Sequence, residues 1–193
     1  MTAHASHLAE STRRRGAGRS MTQARKEVLT MLKDDHRMVD NAFKEFERLH
    51  RAEEKASCQS LIEQTCRELE LHALLEEEVF YPTIRNAIEQ TELIDEAEVE
   101  HQTLKMLIEQ IRNSTHEEEK FVATITVLKE YVKHHVKEEE GALFRKLTRV
   151  KLDWPHLLEE MQEQRQQLRD EAVDKALDGQ SAGKGRHPRP TKQ

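Results

Sequence analysis

At 193 residues, with 35% charged and 4% aromatic side chains, six Gly and four Pro, the chain has the composition of a helical protein with room for one core and thoroughly solvated outer faces. A formal charge of −6 gives no reason to expect a nucleic acid or an anionic membrane as partner, and no apolar run approaches the ~20 residues that span a bilayer. The two cysteines, Cys58 and Cys66, sit on one expected helix ~12 Å apart along its axis, too far to pair with each other, which suits a reducing cytoplasm.

Residues 1–21 mix Ser, Thr, Gly and Arg, and Arg13-Arg14-Arg15 has no apolar stretch behind it. They read as a disordered arm and not as a secretory signal. From about Gln23 to Leu49 the positions Leu32, His36, Val39, Phe43 and Phe46 recur in alternating steps of four and three, the seam of a bundle helix. After a polar connection at 51–56, Ser57 is the expected N-cap of a second helix reaching about Gln90. Its seam is Cys58, Ile62, Thr65, Leu69, His72, Glu76 and Val79, and Pro82 should kink or loosen its last turns.

Thr91 caps a third helix with the seam Ile94, Ala97, His101, Leu104, Ile108 and Ile111. Thr115 and Glu118 form a capping-box pair that opens a fourth, with Phe121, Ile125, Leu128, Val132, His135, Glu139 and Ala142 along its seam. Asp153 caps a fifth, very polar helix from about Trp154 to Leu177, whose sparse apolar stripe is Leu157, Leu158, Met161 and Leu168. Gly179 to Gln193 is a Gly, Pro and basic tail. The expected division is a disordered arm (1–21), a metal-binding helical bundle (22–150), an accessory helix (151–178) and a disordered tail (179–193).

Two stretches carry the chemistry. His72 and Glu76, and again His135 and Glu139, stand four residues apart on one helix face, with ~5–6 Å between Cβ atoms. The arrangement is an internal repeat. His36 and His101 lie 65 positions apart, each preceded by an acid (Asp35, Glu100), and both members of the His-x-x-x-Glu pair recur after 63. Short connections make neighbouring helices antiparallel, so two helical hairpins point four imidazoles and two carboxylates at one interior zone. In an apolar interior each unpaired polar group costs a few kcal/mol, and an isolated charge more. A bound cation removes that cost.

His135 continues the 4-3 rhythm, whereas His134 is turned ~100° away. It reads as a surface residue, as do His50, His116 and His156. Glu78 and Glu138 read as solvated flanks. Glu77 and Glu140 do too, but remain secondary oxygen donors. Mixed imidazole and carboxylate ligands suit Fe, Mn or Zn, and the lack of cysteine among them argues against a structural zinc. Six side chains are too many for one tetrahedral ion and suit two metals bridged by carboxylates and a solvent-derived oxygen.

His36, His72-x-x-x-Glu76, His101 and His135-x-x-x-Glu139, with Phe80-Tyr81-Pro82 behind the first pair, resemble the hemerythrin-like, or HHE cation-binding, domains over about Ala24 to Val150. The resemblance implies an all-α, four-helix up-down antiparallel bundle, with the C-terminal helix as an addition. It also implies two oxo- or hydroxo-bridged non-heme iron ions held by His36, His72, Glu76, His101, His135 and Glu139. The chain departs from the oxygen-carrying members, which place two histidines one turn apart on the third helix. Here Ala97 and Lys105 flank a lone His101, and Glu139 follows His135 by four residues where those proteins have an Asp five residues on.

A more open, carboxylate-rich site favours sensing or reacting with O2, peroxide, nitric oxide or iron, with peroxide decomposition as the enzymatic form. The alternatives are a non-enzymatic metal-binding module, in which the fifth helix docks a protein partner, and a metal-free bundle. Tyr131, one turn before His135, is either a hydrogen-bond donor behind the ligands or a bundle tyrosine with its hydroxyl at the surface.

Overall fold

The computed structural model describes residues 20–115 and 119–183, and all regular structure among them is helical. The arm up to residue 19, Glu118 of the expected capping pair, His116 and the tail from 184 lie outside the described residues. Helix α1 is Met21–Arg51. Helix α2 runs Lys55–Leu75, continues through a π-helical turn at Glu76–Phe80 and ends with Tyr81–Arg85. Helix α3 is Glu92–Arg112. Helix α4 runs Glu119–Glu138, passes through a second π-helical turn at Glu139–Leu143 and closes with Phe144–Lys146 and a 3-10 turn at Leu147–Arg149. Helix α5 is Trp154–Gly183.

Local chemistry explains most boundaries and corrects several expectations. The hydroxyl of Ser20 caps α1 by accepting from the Gln23 amide at 3.1 Å. Helix α2 starts at Lys55, so Ser57 is an internal residue and not the cap. The tight link is made instead by Glu53 at φ 59°, the left-handed conformation that non-glycine residues seldom adopt. Thr91 stands at the head of α3 but its side chain makes no capping bond, whereas Asp153 Oδ1 accepts from the His156 amide at 3.2 Å. Pro82 falls directly behind the π turn, and the helix continues through Tyr81–Arg85 without a backbone N–H from that position. The backbone of α5 stays helical to Gly183, past the expected end near Leu177. Gly and Ser weaken a helix by ~1 kcal/mol or less per residue without forbidding it.

Helix α1 packs on α2 and on α5, α3 packs on α4, and lesser contacts join α1 to α4, α2 to α3 and α2 to α5. The apolar interior falls into two clusters. One contains Ala24, Val28, Leu32, Phe80, Tyr81, Ile84, Phe144 and Leu147 together with Trp154, Leu157, Leu158, Met161 and Leu168 of α5. The other gathers Val39, Phe43, Phe46, Ile62, Leu69, Leu104, Ile108, Phe121, Ile125 and Leu128. Trp154, Leu157, Leu158 and Met161 are at most 2% exposed. At roughly 1.5–3 kcal/mol for a large buried apolar side chain, these residues anchor α5 to the bundle.

The sequence positions at which the two clusters divide carry the polar layer. Apart from Thr65, which donates to the Leu61 carbonyl at 2.8 Å, the buried polar residues among those described are His36, His72, Glu76, His101, His135 and Glu139.

Candidate metal centre

Each π turn begins at a carboxylate of the polar layer, Glu76 in α2 and Glu139 in α4. A π turn inserts one residue into the helical repeat and commonly accompanies a functional site. It shifts the buried face by one position, so the expected seam residues Val79 and Ala142 are only partly buried. Their place is taken by the adjacent pairs Phe80-Tyr81 and Leu143-Phe144, all at most 3% exposed. The aromatic partners land on imidazoles. The Phe144 ring stacks on His36 with centroids 6.3 Å apart, and Tyr81 on His101 at 5.7 Å.

Inside this frame the Nε2 atoms of the four histidines converge. His36 and His72 meet at 3.1 Å, and His101 and His135 at 3.4 Å. Glu76 Oε2 lies 3.4 Å from both His72 Nε2 and His101 Nε2, and Glu139 Oε2 lies 3.3 Å from His36 Nε2. The donors form two adjacent groups that share Glu76. One comprises His36, His72, Glu76 and Glu139, the other Glu76, His101 and His135, each with its ligand atoms within 4.8 Å of one another. The six residues singled out in the sequence are therefore brought together.

The opposite ring nitrogen of every one of these histidines faces a carboxylate. His36 Nδ1 is 2.9 Å from Glu140, His72 Nδ1 is 3.3 Å from Asp35, His101 Nδ1 is 3.0 Å from Glu77 and His135 Nδ1 is 2.8 Å from Glu100. Such a carboxylate fixes the tautomer with Nδ1 protonated and leaves the Nε2 lone pair turned inward, the usual support of a metal-ligating imidazole. Glu77 and Glu140, secondary oxygen donors in the sequence reading, sit behind the histidines and not among the converging atoms. Asp35 and Glu100, visible in the sequence only as the acid before each histidine, hold the imidazole of the following helix. The swap obeys the repeat.

Burial and charge act together on this layer. Removal from water disfavours a charged His72, and with Asp35 only partly compensating, its pKa falls to about 4. Burial also opposes an imidazolium at His36, but Glu139, Glu76 and Glu140 outweigh it and raise the pKa to about 9. Desolvation and the neighbouring Glu139 push Glu76 well above the usual carboxylate range. Glu139 is equally buried, yet His36, His135 and His72 draw it down to about 2. Glu76, Glu139, His36 and His72 thus divide protons unevenly in a space with no room to ionise freely.

Glu76 Oε1 is buried without a hydrogen bond, and Glu139 Oε2 has only the 3.3 Å approach of His36 Nε2; an orphaned carboxylate oxygen is expensive in such a place. Cation-ligating oxygens have this character, so the donor set fits a bound metal.

One residue of the layer was not singled out as part of the site. The Tyr81 hydroxyl lies 3.2 Å from Glu76 Oε2 and 3.2 Å from Glu139 Oε1. Burial, followed by these two carboxylates, raises its pKa well above the ordinary tyrosine value, so it stays protonated and donates. The signal for it was the Phe80-Tyr81 pair opposite Leu143-Phe144, but its inward turn depends on the π turn. Tyr131, the sequence candidate, is only partly buried. His134 is 58% exposed and pairs with Glu100 and Glu138 at 3.5 Å, away from the converging nitrogens. A groove between α1 and α4, with a cavity of about 290 Å3, brings Phe43, Val132 and Val136 and the charged Lys133 and Lys137 up to His36.

The hemerythrin HHE cation binding domain, as a family model, matches residues 27–147. A protein from Nostoc sp. described as a DNA nickase is 30% identical over 120 residues, which is 61% of this chain and 32% of that protein. The chain thus spans about a third of that relative. No solved structure matches the chain.

Proposed function

The chain belongs to the hemerythrin HHE cation-binding domain family, and on that footing we propose that its polar layer is a dinuclear non-heme iron centre, set in an up-and-down four-helix frame, that reacts with or senses small oxygen species and decomposes peroxide. One observation carries this reading: two adjacent donor groups share Glu76, whose Oε1 is buried among them without a hydrogen bond.

His36, His72, Glu76 and Glu139 would hold one ion, and His101 and His135, with Glu76 in common, the other. The mix of imidazole and carboxylate suits iron better than a structural zinc and also admits manganese. Bound iron would supply the electrons for redox chemistry and an open position for a small oxidant.

The chain's own residues do the rest. Glu140, Asp35, Glu77 and Glu100 keep the four Nε2 lone pairs aimed inward. Tyr81 offers the buried hydroxyl, placed between Glu76 and Glu139, where it hydrogen-bonds the carboxylates and holds a proton within reach of whatever enters. The apolar wall of Phe43, Val132 and Val136 gives a small uncharged molecule a way in beside His36. No helix among the described residues is long and apolar enough to cross a membrane, and a cytoplasmic setting suits the buried free thiols Cys58 and Cys66.

DNA nicking is not carried over from the Nostoc protein. The matched part is a minority of that chain, and a net charge of −6 gives no overall attraction to a phosphate backbone.

The test is elemental analysis and an optical spectrum on one sample, followed by hydrogen peroxide with an oxygen electrode. Two iron per chain, near-ultraviolet absorption and oxygen evolution are expected. Full iron occupancy with no response to peroxide, O2 or nitric oxide would leave the non-enzymatic metal-binding module. A protein that takes up no metal would overturn both readings.

A further inference from the structure

Each carboxylate behind a histidine is itself steadied by a cation or an imidazole. Glu140 pairs with Lys33 at 3.3 Å, Glu77 takes two bonds from Lys105 at 2.8 and 2.6 Å, and Glu100 stands 3.5 Å from His134. These partners lie on α1, α3 and α4, within the residues the family model matches. The fourth does not. Asp35 is gripped by Arg165 of α5, one guanidinium nitrogen to each carboxylate oxygen, with Nη1 3.2 Å from Oδ1 and Nη2 on Oδ2.

Among the four it is the fork of two parallel bonds that a planar guanidinium makes and a lysine cannot. Arg165 is also held in place by packing. Met161 and Leu168, four residues before and three after it, are buried in the core with α1 and α2. Asp35 Oδ2 in turn faces His72 Nδ1 at 3.3 Å.

We infer that α5 is a working part of the metal centre, with Arg165 as a positioning residue: through Asp35 it fixes the ring of His72 so that Nε2 faces Glu76 and His36. The inference rests on the proposed metal site and extends it beyond the family domain. Losing the carboxylate behind a ligating histidine typically costs about 10–100-fold in metal affinity, and removing Arg165 frees that carboxylate to turn away.

The experiment uses the full chain and two variants of one helix. Arg165→Ala cuts the fork. Gln164→Ala cuts the neighbouring bond of α5 to Glu78, 2.6 Å long, which leads to none of the four histidines. Fe(II) is titrated anaerobically against a competing chelator. About a tenfold or greater loss of affinity for one of two equivalents is expected in Arg165→Ala, none in Gln164→Ala, and partial recovery in Arg165→Lys, which restores charge without the fork.

In the metal-free protein the ring-nitrogen NMR signals of His72 should move in Arg165→Ala while those of His101 stay. A purely structural role for α5 would instead lower denaturant stability alike in the Ala variants and leave both readouts unmoved. Wild type with two equivalents bound and Arg165→Ala indistinguishable from Gln164→Ala overturns the inference while the site reading stands. Wild type that binds no Fe(II) overturns the site reading, and unmoved His72 signals in that protein would overturn the Arg165 link as well.

Discussion

His134 and His135 are chemically identical neighbours with opposite roles, and only the helix phase separates them. His135 is 4% exposed with Nε2 toward His101, whereas the His134 side chain is 58% exposed. His135→Ala should remove roughly one iron equivalent, because losing a ligand costs more than the ~10–100-fold typical of its supporting residues. His134→Ala removes only a largely exposed, 3.5 Å partner of Glu100 and should leave metal content nearly unchanged. Elemental analysis of the two variants decides it, and the reverse result would mean that the phase of α4 is misread.

Tyr81→Phe removes the hydroxyl between Glu76 and Glu139 while keeping the ring over His101. Metal content should stay at the wild-type value, but the optical spectrum and the reaction with peroxide should change. A spectrum and rate indistinguishable from wild type would strip Tyr81 of any part in the chemistry. The six converging residues were legible in the sequence because periodicity reports which way a side chain faces on its own helix. Which histidine each of Asp35, Glu77, Glu100 and Glu140 would support was not, since a contact between helices depends on their rotation against each other.

At the scale of the element, the two π turns are where the periodicity argument failed, and for one reason. A strict 4-3 rhythm carries Val79 and Ala142 inward. The extra residue at Glu76–Phe80 and Glu139–Leu143 turns them partly out and buries two consecutive large side chains instead. A sequence can show this only as two adjacent apolar residues competing for one seam position, as Phe80-Tyr81 and Leu143-Phe144 do.

Gly141 lies inside the second π turn. A Cβ built there would meet only the end of the Arg145 side chain, at 4.0 Å. Its backbone is helical, so the glycine is not there for a left-handed conformation. Gly141→Ala should therefore stabilise the protein by roughly 0.4–1 kcal/mol, through the smaller entropy of the unfolded chain, with metal content retained. Chemical denaturation measures it. A variant that loses both stability and metal would show that the wide turn needs the flexibility of glycine.

For the whole molecule, the question is what a polar layer costs a fold that has an apolar cluster on either side of it. Four groups set the answer in the metal-free protein. His36, raised from 6.5 to about 9, contributes stability that is full below pH 6.5 and lost as pH rises through 9. Glu76, raised well above 4.5, acts in the same sense, its contribution fading from pH 4.5 upward. His72, lowered from 6.5 to about 4, destabilises as pH falls from 6.5 towards 4, because the unfolded chain takes up a proton that the fold refuses. Glu139, lowered from 4.5 to about 2, contributes above pH 4.5 and loses that contribution as pH falls towards 2.

Between pH 4.5 and 6.5 Glu76 and His72 oppose each other, so linkage places the optimum of the metal-free protein in that window, with a decline towards pH 9. Metal binding runs the other way. The ligands must shed the same protons, so affinity rises with pH, and a cation that binds only the folded state adds stability in proportion to its affinity. The gap in Tm between the iron-loaded and the chelated protein should therefore widen from pH 6 to pH 9, mainly because the chelated form weakens. Thermal unfolding of both forms across that range is the measurement. A gap that stays constant, or narrows towards pH 9, would mean that the protons held by His36 and Glu76 are not the ones the metal displaces.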